Sequence, residues 1–295
     1  MAWNVLRRED GIPENEIHIR NEFYLVGIVV LYYDHIITFD REVAHMWYRN
    51  GRIPWLFFIN RYFAPIAYIA VNISPFMPSR TVAECKKSSS AIAIVTLISH
   101  VIVGVVLVLR TFALYGRSFK ILGFILIVSM PLIGTAVWSL FSQRIDDENV
   151  VLGCNTAAAK GSGVRLAIPW EAIVCFDVLI FTLTVVKTIR ERRSEHTIVF
   201  GHFGSIIFRD AAIYFATMAC VNIANAATFY VPSPSIEGCL SSLSTSVSVS
   251  LTSRLLINLQ KKTLGRSTEL ISLTEFATSV HFRNDYSDLS TETEM

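Results

Sequence analysis

Residues 88–109 read SSSAIAIVTLISHVIVGVVLVL and contain no formal charge over 22 positions. A helix rises about 1.5 Å per residue, so this run would be about 33 Å long, roughly the thickness of the hydrocarbon core of a bilayer. Backbone N–H and C=O groups find no water inside that core, so the run must be helical and other helices must pack beside it. The stretch therefore predicts a transmembrane helix within a multi-helix bundle.

The composition of the whole chain is that of a polytopic membrane protein. Of its 295 residues, 52% are hydrophobic and only 17% are charged, and the mean hydropathy is +0.47. The net charge of +2 and the lack of a basic patch with interleaved aromatic residues give no indication of nucleic-acid binding. Residues 1–22 are polar and contain no apolar core before a cleavage site, so we expect no cleaved signal peptide.

Seven apolar runs predict an all-α, polytopic transmembrane bundle of seven helices. The predicted spans are residues 23–39, 53–73, 88–110, 121–141, 167–186, 205–229 and 236–259, with an irregular loop between the fourth and fifth. The seventh is the most polar, because nine Ser or Thr lie between Ser241 and Ser253 and SVSVSLT alternates as a strand does. Since a lone strand cannot cross lipid, we predict a polar helix that faces its neighbours, with a non-spanning segment as the alternative.

The distribution of Lys and Arg predicts the orientation of the bundle. On alternate sides of the seven spans lie 15 and nine of these residues, and two more lie inside spans. The richer side is expected to be cytosolic, so the N-terminal segment 1–22 would lie outside the cytosol. Residues 261–295 would then form a cytosolic, Ser/Thr-rich acidic tail, whose composition predicts disorder.

Asp34 in the first predicted span and Arg61 in the second are charged residues within apolar runs. A charge inside a span needs a partner, a water-filled cavity or a function. We expect these two to form an ion pair that fixes the first helical hairpin, and the alternative is a relay for protons or ions. Exchanging the two charges distinguishes these hypotheses, because a structural pair tolerates the exchange and a relay does not.

A second group of polar residues forms the candidate intramembrane site. His100 in the third span and Asp177 in the fifth lie at similar depths, near the middle of the membrane. Asn222 and Asn225 are one turn apart on the sixth span and, with the hydroxyl groups of the seventh, predict a polar outer cavity. Such a site suits a polar ligand or proton coupling, whereas the structural alternative is hydrogen bonding between helices.

The five cysteines give no metal-binding pattern, since none forms a CxxC pair or lies near clustered His. Cys85, just before the third span, and Cys154, in the loop after the fourth, both lie on the predicted outer side. We expect a disulfide between them, with Cys239 as the rival partner.

Several motifs in order resemble those of a known family. They are YYDHIITFDREV (residues 32–43) followed by Trp47, NRY (60–62), AEC (83–85), LRTFALYGRS (109–118), RD (209–210) and SRLLINLQ (253–260). This combination resembles a large family of fungal, chiefly basidiomycete, integral membrane proteins defined by a domain of unknown function. The resemblance implies seven helices, and it transfers no activity and no functional residue.

A second resemblance is to G-protein-coupled receptors. It rests on seven spans, an outside N-terminus, Cys85 at the head of the third span and Arg110 at its foot. Arg110 stands in LRTFALY instead of an acidic-Arg-aromatic triplet, and the seventh span lacks a following Asn-Pro turn and Tyr. This resemblance implies receptor-like signalling, with a small extracellular ligand and a cytosolic signalling partner.

Two further hypotheses stand beside the receptor. Asp34, Arg61, His100 and Asp177 also suit a small-solute or proton-coupled transporter, although the two halves of the chain show no repeat. A structural membrane protein whose partner is the lipid bilayer is the third. No HExxH or GxSxG motif and no cluster of His is present, so we expect neither an enzyme nor a cofactor. Span lengths do not choose between the plasma membrane and an internal membrane.

Overall fold

The computed structural model describes residues 14–47, 52–73, 82–142, 150–152, 155–157, 163–194, 201–231 and 236–261. Within these ranges the chain forms seven helices, as predicted. They are α1 (Glu14–Met46), α2 (Arg52–Ile73), α3 (Val82–Leu114), α4 (Phe119–Ser142), α5 (Gly163–Ser194), α6 (Gly201–Thr228) and α7 (241–261).

Most of these helices extend beyond the predicted spans. The prediction for α1 ended at Phe39, where Asp40 and Arg41 begin a charged stretch, but the helix continues to Met46. Charged residues end an apolar run without ending a helix, because outside the hydrocarbon core they are hydrated and are compatible with helical hydrogen bonding. The extension adds about two turns to α1 and brings Glu42 into the packed part of the bundle.

The segment between α4 and α5 contains a short β-hairpin that the sequence analysis treated as an irregular loop. Strand β1 (Val150–Leu152) pairs antiparallel with β2 (Asn155–Ala157), with Val151 opposite Thr156. Both strands lie beside α3. The pairing satisfies backbone groups of the loop at the end of the bundle.

α7 lies at the centre of the helical packing. Its backbone comes so close to α1 that a Cβ on Gly27 would lie 2.7 Å from the nitrogen of Leu243. The side chain of Asn60 in α2 donates hydrogen bonds to the carbonyl of Val249 (3.2 Å) and to the hydroxyl of Ser253 (3.0 Å). Further hydrogen bonds join α7 to α3 and α6.

The burial pattern differs from that of a water-soluble protein, because many polar side chains are buried beside the apolar core while large apolar side chains are exposed. The buried residues of α7 are mainly hydroxyl side chains, namely Ser242, Ser244, Thr245, Ser246, Ser248, Ser250, Thr252 and Ser253. Large apolar side chains face outward instead, for example Ile36, Ile66 and Ile127, the last with an exposed fraction of 75%. An apolar exterior around a polar interior is stable in lipid, where each polar group needs an internal partner.

Four helices are long and apolar enough to cross a membrane. They contain the segments Glu22–Met46, Ser90–Leu114, Phe119–Ser139 and Leu166–Arg190, and α6 contains the shorter apolar run Ala212–Thr228. Together with the burial pattern, these segments identify a multi-pass membrane protein. α7 is not among them because its buried hydroxyl groups lower its hydropathy.

Candidate functional site

Asp177 of α5 meets the polar face of α6 and α7 inside the bundle. Its carboxylate accepts a 2.5 Å hydrogen bond from the side-chain amide of Asn222. The oxygen of that amide accepts a hydrogen bond from the hydroxyl of Ser244. One turn further along α6, the Asn225 side-chain oxygen accepts a 3.3 Å bond from the hydroxyl of Ser241. The sequence placed Asn222 and Asn225 on one face, and the structure shows that this face meets α7.

His100 lies on the α3 side of the same region. Its Nε2 is 3.3 Å from the hydroxyl oxygen of Thr245 in α7, and its ring meets the Trp170 ring edge to face with a centroid distance of 5.4 Å. α3 and α5 are in contact, and His100 and Asp177 therefore line a common space.

That space is a cavity of about 330 Å³, which we call the α3–α5 cavity. Five polar residues line it, namely His100, Ser129, Asp177, Asn222 and Ser248. The rest of its wall is largely aliphatic and comes from α3, α4 and α5. Asn225 is not part of the lining. Cavities of this kind, apolar with a few convergent polar groups, are typical of small-molecule sites.

The expected ion pair between Asp34 and Arg61 is wrong. Arg61 Nε lies 2.6 Å from Glu42 Oε2, and both side chains are completely buried. Asp34 instead accepts from Arg254 of α7, whose Nε lies 2.5 Å from its Oδ1. The error follows from the predicted end of α1, because the extra turns place Glu42 on the stripe that already contains Asp34 and Thr38, four residues apart along the helix.

Glu42 and Arg61 belong to a wider buried network that we call the Glu42 cluster. Trp47 Nε1 and the Tyr62 hydroxyl both donate to Glu42 Oε1, at 3.1 and 2.7 Å. Arg61 Nη2 donates to the hydroxyl of Thr38 and to a backbone carbonyl of α1. The guanidinium also lies over the Phe57 ring, 5.6 Å from its centroid. This cluster fixes α1 against α2.

Some residues of the candidate site were missed from the sequence. Glu42 was detectable from its four-residue spacing to Thr38, but it was assigned to a loop. Ser129 of α4 also lines the cavity, and a lone Ser in an apolar span gives no sequence signal for that role. Ser248, by contrast, belongs to the hydroxyl groups of the seventh span that the sequence places at a polar cavity. The side chains of Cys85 and Cys154 lie outside the described residues, so their disulfide stays a prediction. Within the described part of the chain, no group of three His, Cys, Asp or Glu side chains could hold a metal ion.

One family match covers the first helical hairpin. Residues 23–66 match the model of a family of unknown function, DUF6533. The matched segment contains the residues of the Glu42 cluster and Asp34. No curated protein and no solved structure gives a significant match. Over its α1–α2 hairpin, the chain is therefore similar to a family defined by a domain of unknown function. The resemblance noted from the sequence was also to a family defined by such a domain.

Proposed function

We propose that this protein is a receptor-like integral membrane protein that binds a small ligand in the α3–α5 cavity. The main support for the proposal is the cavity itself. Its walls are mainly apolar, and one face presents the polar side chains of His100, Asp177 and Asn222. The cavity opens between α3 and α4 at the outer surface of the bundle, so a molecule from the bilayer can reach that polar face.

The proposal includes seven membrane crossings. Ser241 at the start of α7 contacts Asn225, and Asn258 near its end donates a hydrogen bond to the hydroxyl of Tyr214. α6 and α7 are therefore antiparallel neighbours, over about 17 Å of α6 and about 25 Å of α7 at 1.5 Å per residue. A helix packed along α6 over that length supports a seventh crossing, with the N-terminus outside and the C-terminus cytosolic as the Lys and Arg distribution predicts.

The two ion pairs support transmission of a signal along the bundle. Both lie in the halves of α1, α2 and α7 that we assign to the cytosolic side, and Arg254 joins α7 directly to Asp34 of α1. A ligand that shifts α7 at Ser248 would therefore act on a helix whose other end is tied to α1. Such a helix is the element that a receptor needs between its ligand site and its cytosolic loops.

Whether the α3–α5 cavity holds a small molecule is tested by mass spectrometry of the intact protein released from its own membrane. A Cβ on Gly104 would lie 3.7 Å from the Phe176 ring, so Gly104→Leu fills the cavity without a backbone clash. Gly123 in α4 has open space around it and does not line the cavity, which makes Gly123→Leu the matched control.

We expect a bound small molecule on the native protein and on Gly123→Leu, and its loss from Gly104→Leu. An identical spectrum for all three proteins would contradict the proposal, because it would show that the cavity holds nothing that the larger side chain of the Gly104→Leu variant excludes.

The alternative, a small-solute or proton-coupled transporter, is supported by Asp177 and His100 in the cavity. A receptor should lose signalling but keep ligand binding when two exposed residues of its cytosolic side, Arg117 after α3 and Arg190 near the end of α5, are replaced by Gln. A transporter should lose flux in liposomes on Asp177→Asn and should not need those two arginines. Measuring both variants in both assays separates the two functions.

A further inference from the structure

The geometry points to a lipophilic amine as the ligand of the α3–α5 cavity, with an ammonium head between Asp177 and Ser248 and an apolar body reaching the bilayer between α3 and α4. This inference rests on the proposed function and names the chemical class of the ligand.

The environment of Asp177 indicates that the head group of the ligand is positively charged. Its exposed fraction is 7%, and its contact among the described side chains is the neutral amide of Asn222. The buried cation Arg61 pairs with Glu42 and Arg254 pairs with Asp34, so neither of these two arginines neutralises Asp177. A buried carboxylate without a cation is costly inside a membrane, and a ligand ammonium would supply the missing charge.

Ser248 is an independent indication of a polar ligand group. Its exposed fraction is 2%, and its Oγ has no hydrogen-bond partner among the described residues, as is also true of Ser242, Ser246 and Ser250. Of these four serines, Ser248 is the one that lines the cavity. Most buried hydroxyl groups in proteins are hydrogen-bonded. An ammonium carries three N–H donors, so one group can donate to the carboxylate of Asp177 and to the hydroxyl of Ser248 together.

The rest of the cavity lining indicates that the remaining part of the ligand is apolar. Apart from the polar face, the cavity is lined mainly by aliphatic side chains, and several of these are at least 40% exposed on the outer surface of the bundle, including Val101, Val105, Leu126 and Met130. An opening lined in this way faces the lipid chains. The ligand therefore enters sideways from the bilayer, and its apolar part stays in contact with α3 and α4.

Other head groups fit the polar face less well. A carboxylate or phosphate would be repelled by Asp177. An alcohol could bond to Ser248 but would leave the charge of Asp177 without a counterion. A single-chain primary amine satisfies both residues.

The inference is tested with tritiated dodecylamine and the full-length protein in phosphatidylcholine nanodiscs, with protein-free nanodiscs as the measure of partition into lipid. Unlabelled dodecylamine and dodecanol serve as competitors. Asp177→Asn removes the charge with little change in shape. Glu171→Gln is its matched control, because Glu171 lies on the same helix, bonds to the hydroxyl of Tyr230 and does not line the cavity.

We expect saturable binding that dodecanol does not displace. Asp177→Asn should weaken it about 10- to 100-fold, as for loss of a hydrogen bond to a charged group, and Ser248→Ala about two- to tenfold. Glu171→Gln should bind as the native protein does. Because Ser248→Ala removes only an unpaired hydroxyl, it remains informative if Asp177→Asn fails to fold.

Three results overturn the inference. They are absence of binding above the protein-free background, equal displacement by dodecanol, and unchanged affinity in both Asp177→Asn and Ser248→Ala. None of these three results decides the proposed function. That function is tested independently, by whether Gly104→Leu loses the small molecule that the native protein binds. Dodecylamine binding that persists unchanged in Gly104→Leu would instead place the amine outside the cavity.

Discussion

Replacing Glu42 by Gln should destabilise the bundle strongly, because it leaves the buried guanidinium of Arg61 without a counterion. The two groups are 2.6 Å apart and fully buried. At an effective dielectric constant of about 20, unit charges about 4 Å apart attract by about 4 kcal/mol. Removing one partner of a buried pair typically costs about 3–5 kcal/mol. Gln keeps an oxygen that can accept from Tyr62 and Trp47, so the change isolates the charge.

The measurement is the free energy of unfolding in mixed micelles titrated with SDS, arranged as a double-mutant cycle. Glu42→Gln and Arg61→Met are each expected to cost about 3–5 kcal/mol, and the double variant should cost clearly less than their sum, with a coupling of about 2 kcal/mol or more. Asp40→Asn, an exposed carboxylate two residues away on α1, is the control and should change stability by less than about 0.5 kcal/mol. Additive single costs, or a Glu42→Gln cost as small as that of the control, would refute the assignment of Glu42 as the counterion.

Three other predictions use simpler measurements. Gly27→Ala should lower the free energy of unfolding by about 1–3 kcal/mol, because its Cβ would lie 2.7 Å from the backbone nitrogen of Leu243. The control is Gly134→Ala, whose Cβ would have nothing within 4 Å and should have no such cost. Equal effects of the two substitutions would contradict the close packing of α1 on α7. Protease protection of terminal tags in permeabilised cells should find the C-terminal tag in the cytosol and the N-terminal tag outside it, whereas both tags on one side would exclude seven crossings. Peptide mapping under non-reducing conditions should recover Cys85 linked to Cys154, and recovery of either as a free thiol would disprove the disulfide.

The fold was largely predictable because lipid permits few backbone solutions. The alternation of SVSVSLT favours a strand by pattern alone, yet the need to satisfy every backbone group predicted a helix, and residues 241–261 form one. The partners of the charges were less predictable. The sequence predicts an ion pair between Arg61 and Asp34 if α1 ends with its apolar run. The helix instead continues beyond that run and places Glu42 beside the guanidinium of Arg61.

The candidate site was predictable as a polar cavity inside the bundle, but its lining was predictable only in part, because Asn225 does not line it and Ser129 does. His100 and Asp177 stood out as polar residues in apolar spans, and the structure brings both to one space. The sequence predicts hydroxyl groups of α7 at the cavity, but not that Ser248 is the one of them that lines it, since this depends on how α7 is rotated against α3 and α5. That rotation is fixed by contacts distant in sequence, such as the bond from Asn60 to Val249.

The central position of α7 has a consequence for how the protein is made. The translocon releases a segment into lipid according to its apolarity, and α7 presents hydroxyl groups over most of its length. With the seven crossings proposed above, the insertion of α7 therefore depends on α1, α2 and α6 being in place to receive it. A nascent chain ending before residue 236 would leave Asn60 and Asn222 without their α7 partners. We expect such truncated chains to be recognised by membrane quality control and degraded.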